Sequence, residues 1–165
     1  MNLPVVLIEI AILLASFTIL VFGMHLISSL TFISDYPPEI QAEYYRSQHR
    51  EAAKKKLTKL MLAKKLLAVI AFLFLFAWML HLAGAKTFWQ GVGLIWIYML
   101  CLFAWDTFFL DWVLFANIKR VRLPGTEHME TEYHQKWFHV KVCLPVVPFA
   151  ILVGFLSSGL MLWIW

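Results

Sequence analysis

The chain has 165 residues, of which 62% are hydrophobic and 15% are charged, and its formal net charge is +4. A soluble domain has roughly half apolar and about a quarter charged residues, so this composition excludes an ordinary soluble globule and a disordered chain. The length suits one domain with a few spans. The composition therefore predicts an all-α polytopic membrane protein, with residues 1–165 forming a single membrane domain.

Four long apolar runs predict a bundle of four transmembrane helices. Each run exceeds the roughly 20 residues that cross a hydrocarbon core of about 30 Å. Hydrogen bonds of a backbone in lipid must close internally, which favours helices. The predicted spans cover about residues 3–33, 60–83, 88–115 and 140–165, joined by loops at 34–59 and 116–139 and by a short turn.

The basic residues concentrate in the two loops and predict the orientation. Clusters of lysine and arginine beside apolar spans mark the cytoplasmic side, so both termini should lie outside. The first run has no basic segment before it and is too long for a signal peptide, so we expect it to be retained. The basic stretch that begins at Arg46 is interpreted as a segment contacting anionic lipid, not nucleic acid.

Breaker residues divide the loops. Pro37 and Pro38 should end the first helix, and a new helix should begin at Pro38 or Glu39 and lead towards the second span. The turn at residues 84–87 should join the second and third spans as an antiparallel hairpin. Pro124-Gly125 predicts a turn, after which Thr126 should cap a short helix.

Ionisable residues inside a span cost about 2.5–3.5 kcal/mol at the bilayer centre, so each needs a reason. By position they form two layers. Glu9 and His81 belong to the outer layer, where they form either an outer proton port or, as we favour, a pair that fixes the first helix to the second. The inner layer holds His25, Asp106, Asp111 and His139.

Asp106 and Asp111 are the strongest candidates for chemistry. Five residues on an α-helix correspond to a rotation of about 140°, so the two need not share a pocket. Asp111 can meet His25, His139 or a cation of the second loop. Two interpretations stay open for the aspartates: an ion pair that locks loop to bundle, or a proton relay, ion site or catalytic carboxylate.

Metal and cofactor signals are weak. His128, His134 and His139 have suitable donor atoms for zinc or iron, but their spacing matches no metal motif, so no metal site is predicted. A haem between His25 and His139 fits the helix order without any feature that marks it. No cofactor is assigned. The two cysteines, Cys101 and Cys143, form no CxxC pair and are interpreted as packing residues.

Small residues and prolines suggest how the helices pack. Glycine and serine allow helices in a membrane to approach closely. The candidates are Gly91 and Gly93 in the third span and Gly154, Ser157, Ser158 and Gly159 in the fourth. Pro145 and Pro148 should bend the fourth helix.

Several short motifs resemble those of small bacterial four-helix membrane proteins to which no activity is assigned. The motifs are Asp35-Tyr36-Pro37-Pro38, the turn Gly84-Ala85-Lys86-Thr87-Phe88, the pair Asp106 and Asp111, and Arg122-Leu123-Pro124-Gly125-Thr126-Glu127 with Phe138-His139. The resemblance covers most of the chain. It implies a bacterial cytoplasmic (inner) membrane and carries no activity or catalytic residue.

Three functions remain open. ATPase, Rossmann and α/β-hydrolase motifs are missing from the sequence. The first hypothesis is a cytoplasmic-side polar site that binds or acts on a lipid or another anionic amphiphile. The second is a partner subunit of a membrane complex, and the third is a proton- or ion-coupled small transporter working as an oligomer.

The expected partners are membrane lipids and either further copies of the chain or another membrane protein. The candidate catalytic residues are Asp106, Asp111 and His139, and the candidate ligand-binding residues are His25, Asp35, Arg120, Arg122, Glu127, His128 and His134.

Overall fold

The structure, a computed structural model, describes residues 1–49 and 58–165, and all regular elements there are helical. The α-helices are α1 (Leu3–Ile27), α2 (Pro38–Ser47), α3 (Lys59–Leu82), α4 (Phe88–Ala104), α5 (Glu130–Tyr133), α6 (Lys136–Cys143) and α7 (Val146–Ile164). Short 3₁₀ helices cover Ser29–Asp35 and Lys119–Val121, and a π-helical segment, Trp105–Phe115, follows α4. Four residues of the basic stretch that begins at Arg46 lie outside the described residues: Arg50, Lys54, Lys55 and Lys56.

Four stretches of helix are long and apolar enough to cross a membrane, which confirms the all-helical prediction with four candidate spans. These stretches are Leu3–Ile27, Lys59–Leu82, Phe88–Phe115 and Lys136–Ile164. Large apolar side chains on them are exposed, as a lipid-facing surface requires and a soluble protein avoids. The fourth stretch is interrupted at Leu144-Pro145, between α6 and α7, where a bend was expected from the prolines.

The described residues divide into two compact units. The first contains Met1–Ile12, Pro145–Trp165 and the described part of Lys54–Cys101. The second contains Leu102–Leu144 and the described part of Leu13–Ala53. Glu9 and His81 belong to the first unit, whereas His25, Asp106, Asp111 and His139 belong to the second.

In the first unit, α3 packs mainly along α7. Gly91 of α4 lies against Ser158 and the Leu80 side chain, and a Cβ atom there would be 2.6 Å from the Ser158 hydroxyl oxygen. Gly154 likewise lies against the Trp96 ring. These two glycines have the predicted packing role.

Two other glycines do not have that role. Among the described residues, a Cβ atom at Gly93 or at Gly159 would meet no atom within 4 Å, so the prediction that these glycines allow close helix packing is wrong. A glycine allows close packing only when it lies on the helix face that meets another helix. Gly91 and Gly93, two residues apart on α4, are rotated by about 200° from each other.

Glu9 and His81 are paired differently from the expectation. The Tyr98 hydroxyl donates a hydrogen bond to Oε2 of Glu9, and both side chains are buried. His81 stacks on the indole ring of Trp165, with ring centroids 4.7 Å apart. The described contacts thus give Glu9 and His81 separate partners, and Glu9 is fixed by α4.

In the second unit, the described parts of the two loops fold against each other. Their core contains Tyr36, Ile40, Tyr44, Leu123 and Tyr133, which we call the loop cluster. The Tyr36 hydroxyl donates to the Val121 carbonyl over 3.2 Å, and the Tyr133 hydroxyl accepts from the Leu123 N–H over 2.9 Å. Burial raises the pKa of Tyr36 and of Tyr133 above the usual tyrosine range.

The second loop contains the predicted turn, but its helix is capped differently. Gly125 has a φ of 84°, a left-handed conformation that glycine adopts without strain. The Thr126 hydroxyl donates a hydrogen bond to the Leu123 carbonyl and shares a second hydrogen bond with the Tyr133 hydroxyl. The short helix α5 begins after Met129 without a side-chain cap, so the prediction of a Thr126 cap is wrong.

Candidate functional site

The third candidate span changes its hydrogen-bond pattern where its two aspartates lie. From Trp105 to Phe115 the helix is π-helical, and the Ala116 N–H at its end donates to the Asp111 carbonyl, five residues back. Such a helix has about 4.4 residues per turn, so residues five apart are rotated by only about 50°. Asp106 and Asp111 therefore share one face. The separation expected from α-helical geometry does not apply to them.

Helix α6 provides the side chains opposite this face. His139 and Cys143 are four residues apart and lie on the same side of the α-helix. Nδ1 of His139 is 3.2 Å from Oδ2 of Asp111. The Cys143 thiol donates to Oδ2 of Asp106 over 3.8 Å. The spacing of five residues on the π-helical segment thus matches the spacing of four on α6, with the two segments running in opposite directions.

Further contacts hold the two segments in this register. The Trp112 indole N–H donates to the Lys136 carbonyl over 3.2 Å, and the Lys136 ammonium group lies 5.2 Å from the centre of the Trp112 ring. Trp112 directly follows Asp111, and Lys136 begins α6. The first turn of α6 is therefore attached to the helix that carries the aspartates.

Three of these side chains form a group with the donor atoms of a metal site. One carboxylate oxygen each from Asp106 and Asp111 and the sulfur of Cys143 lie within 4.8 Å of one another, and all three residues are partly buried. Thr107 lies beside them and is fully buried. We call Asp106, Asp111, His139 and Cys143 the carboxylate cluster.

The Thr107 hydroxyl has no hydrogen-bond partner among the described residues. It lies beside the Cys143 thiol without completing a hydrogen bond of normal geometry. Leaving a buried hydroxyl unpaired costs about 1–3 kcal/mol. If the Cys143 sulfur became a better hydrogen-bond acceptor, a hydrogen bond from the Thr107 hydroxyl would recover this energy.

Lysine and arginine do not neutralise the carboxylate cluster in the described part of the chain. Of the ion pairs there, none joins Asp106 or Asp111 to lysine or arginine, and His139 is the one basic partner of Asp111. A carboxylate in an apolar helix needs a counter-charge, a proton or a metal ion. The cluster is thus suited chemically to a cation.

The arginine expected to hold an anionic ligand is used within the second loop. The Arg122 guanidinium is buried and donates to the carbonyls of Ala116 and Glu127 over 2.9 and 2.8 Å. It lies 4.8 Å from the centre of the Tyr133 ring and 3.8 Å from a Glu130 carboxylate oxygen. These contacts give Arg122 a structural role in joining the end of the third span to the loop cluster.

None of the described contacts joins the other predicted ligand-binding residues to the carboxylate cluster. The His25 ring stacks between Phe32 and Phe115, at centroid distances of 4.9 and 4.3 Å. Asp35 is exposed and accepts a hydrogen bond from Ser34. Arg120, Glu127, His128 and His134 are exposed residues of the second loop, where Glu127 accepts from the Gly125 N–H and His134 contacts the Glu130 carbonyl.

Two members of the site, Cys143 and Thr107, were not predicted from the sequence. One signal was present for Cys143, because its spacing of four residues from His139 places both on one helix face. Thr107 precedes Asp111 by four residues, a spacing that places both on one face of an α-helix. Its burial beside the thiol depends on the π-helical segment, for which the sequence contains no local signal.

No protein-family model, curated protein or solved structure matches the chain. The resemblance to small bacterial four-helix membrane proteins therefore stays a prediction. Any function must be inferred from the chemistry of the side chains described above.

Proposed function

We propose that the chain is a multi-pass protein of the bacterial inner membrane whose carboxylate cluster binds a cation during proton- or ion-coupled transport. The observation that carries the proposal is the placement of Asp106 and Asp111 on one face of an apolar helix, without lysine or arginine partners among the described residues. Membrane carboxylates in such positions mark ion pathways and proton relays. The basic loops lie in the cytoplasm and both termini outside.

The chemistry of the site favours a cation over an anionic amphiphile. Two carboxylates repel a phosphate or carboxylate head group, and Arg122 is occupied by backbone carbonyls. The amphiphile hypothesis would need Arg120 and other exposed loop residues to form a separate site. The partner-subunit hypothesis has no specific contact in its favour. Of the three hypotheses from the sequence, coupled transport has the most support.

A carrier of this size needs more than one copy. Four helices are few to enclose an aqueous path, so we propose a homo-oligomer in which the cluster of each chain faces that path. Discontinuous helices beside an ion site are common in transporters. The π-helical segment and the interruption after Cys143 are two such irregularities, and the interruption directly follows the cluster.

Proton flux into vesicles tests this function. The purified chain is reconstituted into liposomes with a pH-sensitive dye inside, and gradients of Na⁺, K⁺, Mn²⁺ or Zn²⁺ are imposed in turn. We expect at least one cation to drive a flux that Asp106→Asn and Asp111→Asn abolish and that Glu39→Gln, at an exposed glutamate of α2, leaves intact. Flux equal to that of protein-free vesicles with every cation would contradict coupled transport.

A further inference from the structure

We propose that Asp106, Asp111 and Cys143 are direct ligands of a divalent transition metal of the zinc class, with His139 orienting Asp111. This inference rests on the proposed cation site and names its ligand. The sequence alone predicted no metal site, because the donors come from two helices more than 20 residues apart. No motif of neighbouring ligands exists for a sequence pattern to detect.

The distances suit tetrahedral coordination. With a metal–sulfur bond of about 2.3 Å and a metal–oxygen bond of about 2.1 Å, the sulfur and oxygen ligands lie about 3.6 Å apart. The Cys143 sulfur and the Asp106 oxygen are 3.8 Å apart. The widest separation in the group, up to 4.8 Å, closes by a shift of about 1 Å, which rotation of one carboxylate provides.

The surrounding groups complete the site. His139, at 3.2 Å from Asp111, is placed to orient that ligand, as neighbouring hydrogen-bonding groups do at metal centres. On binding, Cys143 loses its proton and becomes a thiolate, and the proton is released. The thiolate then accepts a hydrogen bond from the Thr107 hydroxyl, which otherwise has no partner among the described residues.

The donor set selects the class of metal. Magnesium and calcium prefer all-oxygen sites, whereas a thiolate ligand favours zinc and the neighbouring transition metals. Three protein ligands leave a fourth position free for water or another ligand, as in exchangeable zinc sites. Such an open position suits an ion that is bound and released better than one that only holds the fold.

Cobalt(II) is the probe that tests this inference, because a cobalt–thiolate bond has a characteristic charge-transfer absorption. The full chain in mild detergent is titrated with Co²⁺ and then with Zn²⁺. We expect one cobalt per chain, a thiolate charge-transfer band, and loss of that band when zinc displaces cobalt. Asp106→Asn and Asp111→Asn should each weaken cobalt binding by at least about tenfold.

The two cysteines of the chain provide a matched control. Cys101→Ser leaves Cys143 as the sole thiol, so the charge-transfer band should persist in that variant and disappear in Cys143→Ser. A band in Cys101→Ser assigns the ligand even where Cys143→Ser fails to fold. Absence of the band from Cys101→Ser and from the wild-type chain would overturn the inference.

The failure of this inference is distinguishable from failure of the proposed function. If vesicles show aspartate-dependent flux with Na⁺ or K⁺ and cobalt gives no thiolate band, the transport proposal stands and the metal proposal falls. If the band appears without flux of any cation, the metal site stands and the transport proposal falls.

Discussion

Oδ2 of Asp111 lies 3.2 Å from Nδ1 of His139, and this contact joins the third candidate span to the start of the fourth. One helical turn further along α6, the Cys143 thiol meets Asp106. Both contacts form together only because the π-helical segment brings Asp106 and Asp111 to one face. The irregular helix thus converts two separate acidic residues into one site.

Asp111→Asn separates a chemical role from a structural one. The amide still reaches His139 and keeps its volume, so we expect circular dichroism and the melting temperature to change little. Cation-driven flux and cobalt affinity should fall by at least about tenfold, because a charged ligand is lost. Glu39→Gln, at an exposed glutamate of α2 outside the cluster, is the control. Full activity in a well-folded Asp111→Asn protein would refute the chemical role.

Arg122→Met should destabilise the second loop. The variant keeps an apolar stem but removes the donors to the Ala116 and Glu127 carbonyls, leaving buried acceptors unpaired. We expect a loss of about 2–4 kcal/mol in the free energy of unfolding. Arg120→Met, at an exposed position in the same loop, should change that value by less than about 0.5 kcal/mol. Equal effects in denaturant titrations of both variants would contradict the role of Arg122.

Gly91→Ala and Gly93→Ala form a second matched pair. The new Cβ atom at residue 91 would lie 2.6 Å from the Ser158 hydroxyl oxygen and 3.2 Å from Leu80 Cδ1, so α4 and α7 must separate. We expect destabilisation of about 1–3 kcal/mol from this overpacking. Gly93→Ala meets open space and should be neutral or slightly stabilising, because alanine favours helix by about 1 kcal/mol. Thermal unfolding in detergent measures both, and the reverse order would refute this packing.

The loop cluster should lose stability in alkali. Burial raises the pKa of Tyr36 and Tyr133, so in the folded protein both phenols remain protonated at a pH where the unfolded chain ionises them. Their contribution is fully present below about pH 10 and declines as the pH rises above that value. Melting curves between about pH 8 and pH 12 should show this decline. Ionisation of all five tyrosines near pH 10 without loss of structure, followed by tyrosinate absorbance, would contradict it.

The four apolar helices could be predicted because hydropathy and length act locally. Long runs such as residues 88–115 leave a backbone in lipid no alternative to helix. The pairing of helices was harder to predict from the sequence, since it depends on which helix face a small residue occupies. Gly91 and Gly93 look equivalent in the sequence, yet only Gly91 faces another helix.

The site could be predicted only in part, for a reason of helix geometry. Asp106, Asp111 and His139 stood out as ionisable groups in apolar surroundings, and contact of Asp111 with His139 was among the expected alternatives. The grouping of Asp106 with Asp111 was missed because a spacing of five residues was converted with 3.6 residues per turn. Cys143 was missed because a lone cysteine in a span usually packs, and its partner lies 37 residues away.

Native mass spectrometry tests the central claim, that the carboxylate cluster is one cation site. The full chain in mild detergent, supplied with zinc, is compared with the Asp106→Asn/Asp111→Asn double variant and with Glu39→Gln. We expect one zinc per chain in the wild type and in Glu39→Gln, none in the double variant, and an oligomer as the main species. A wild-type chain without metal, or a double variant that binds as much zinc as the wild type, would contradict the account.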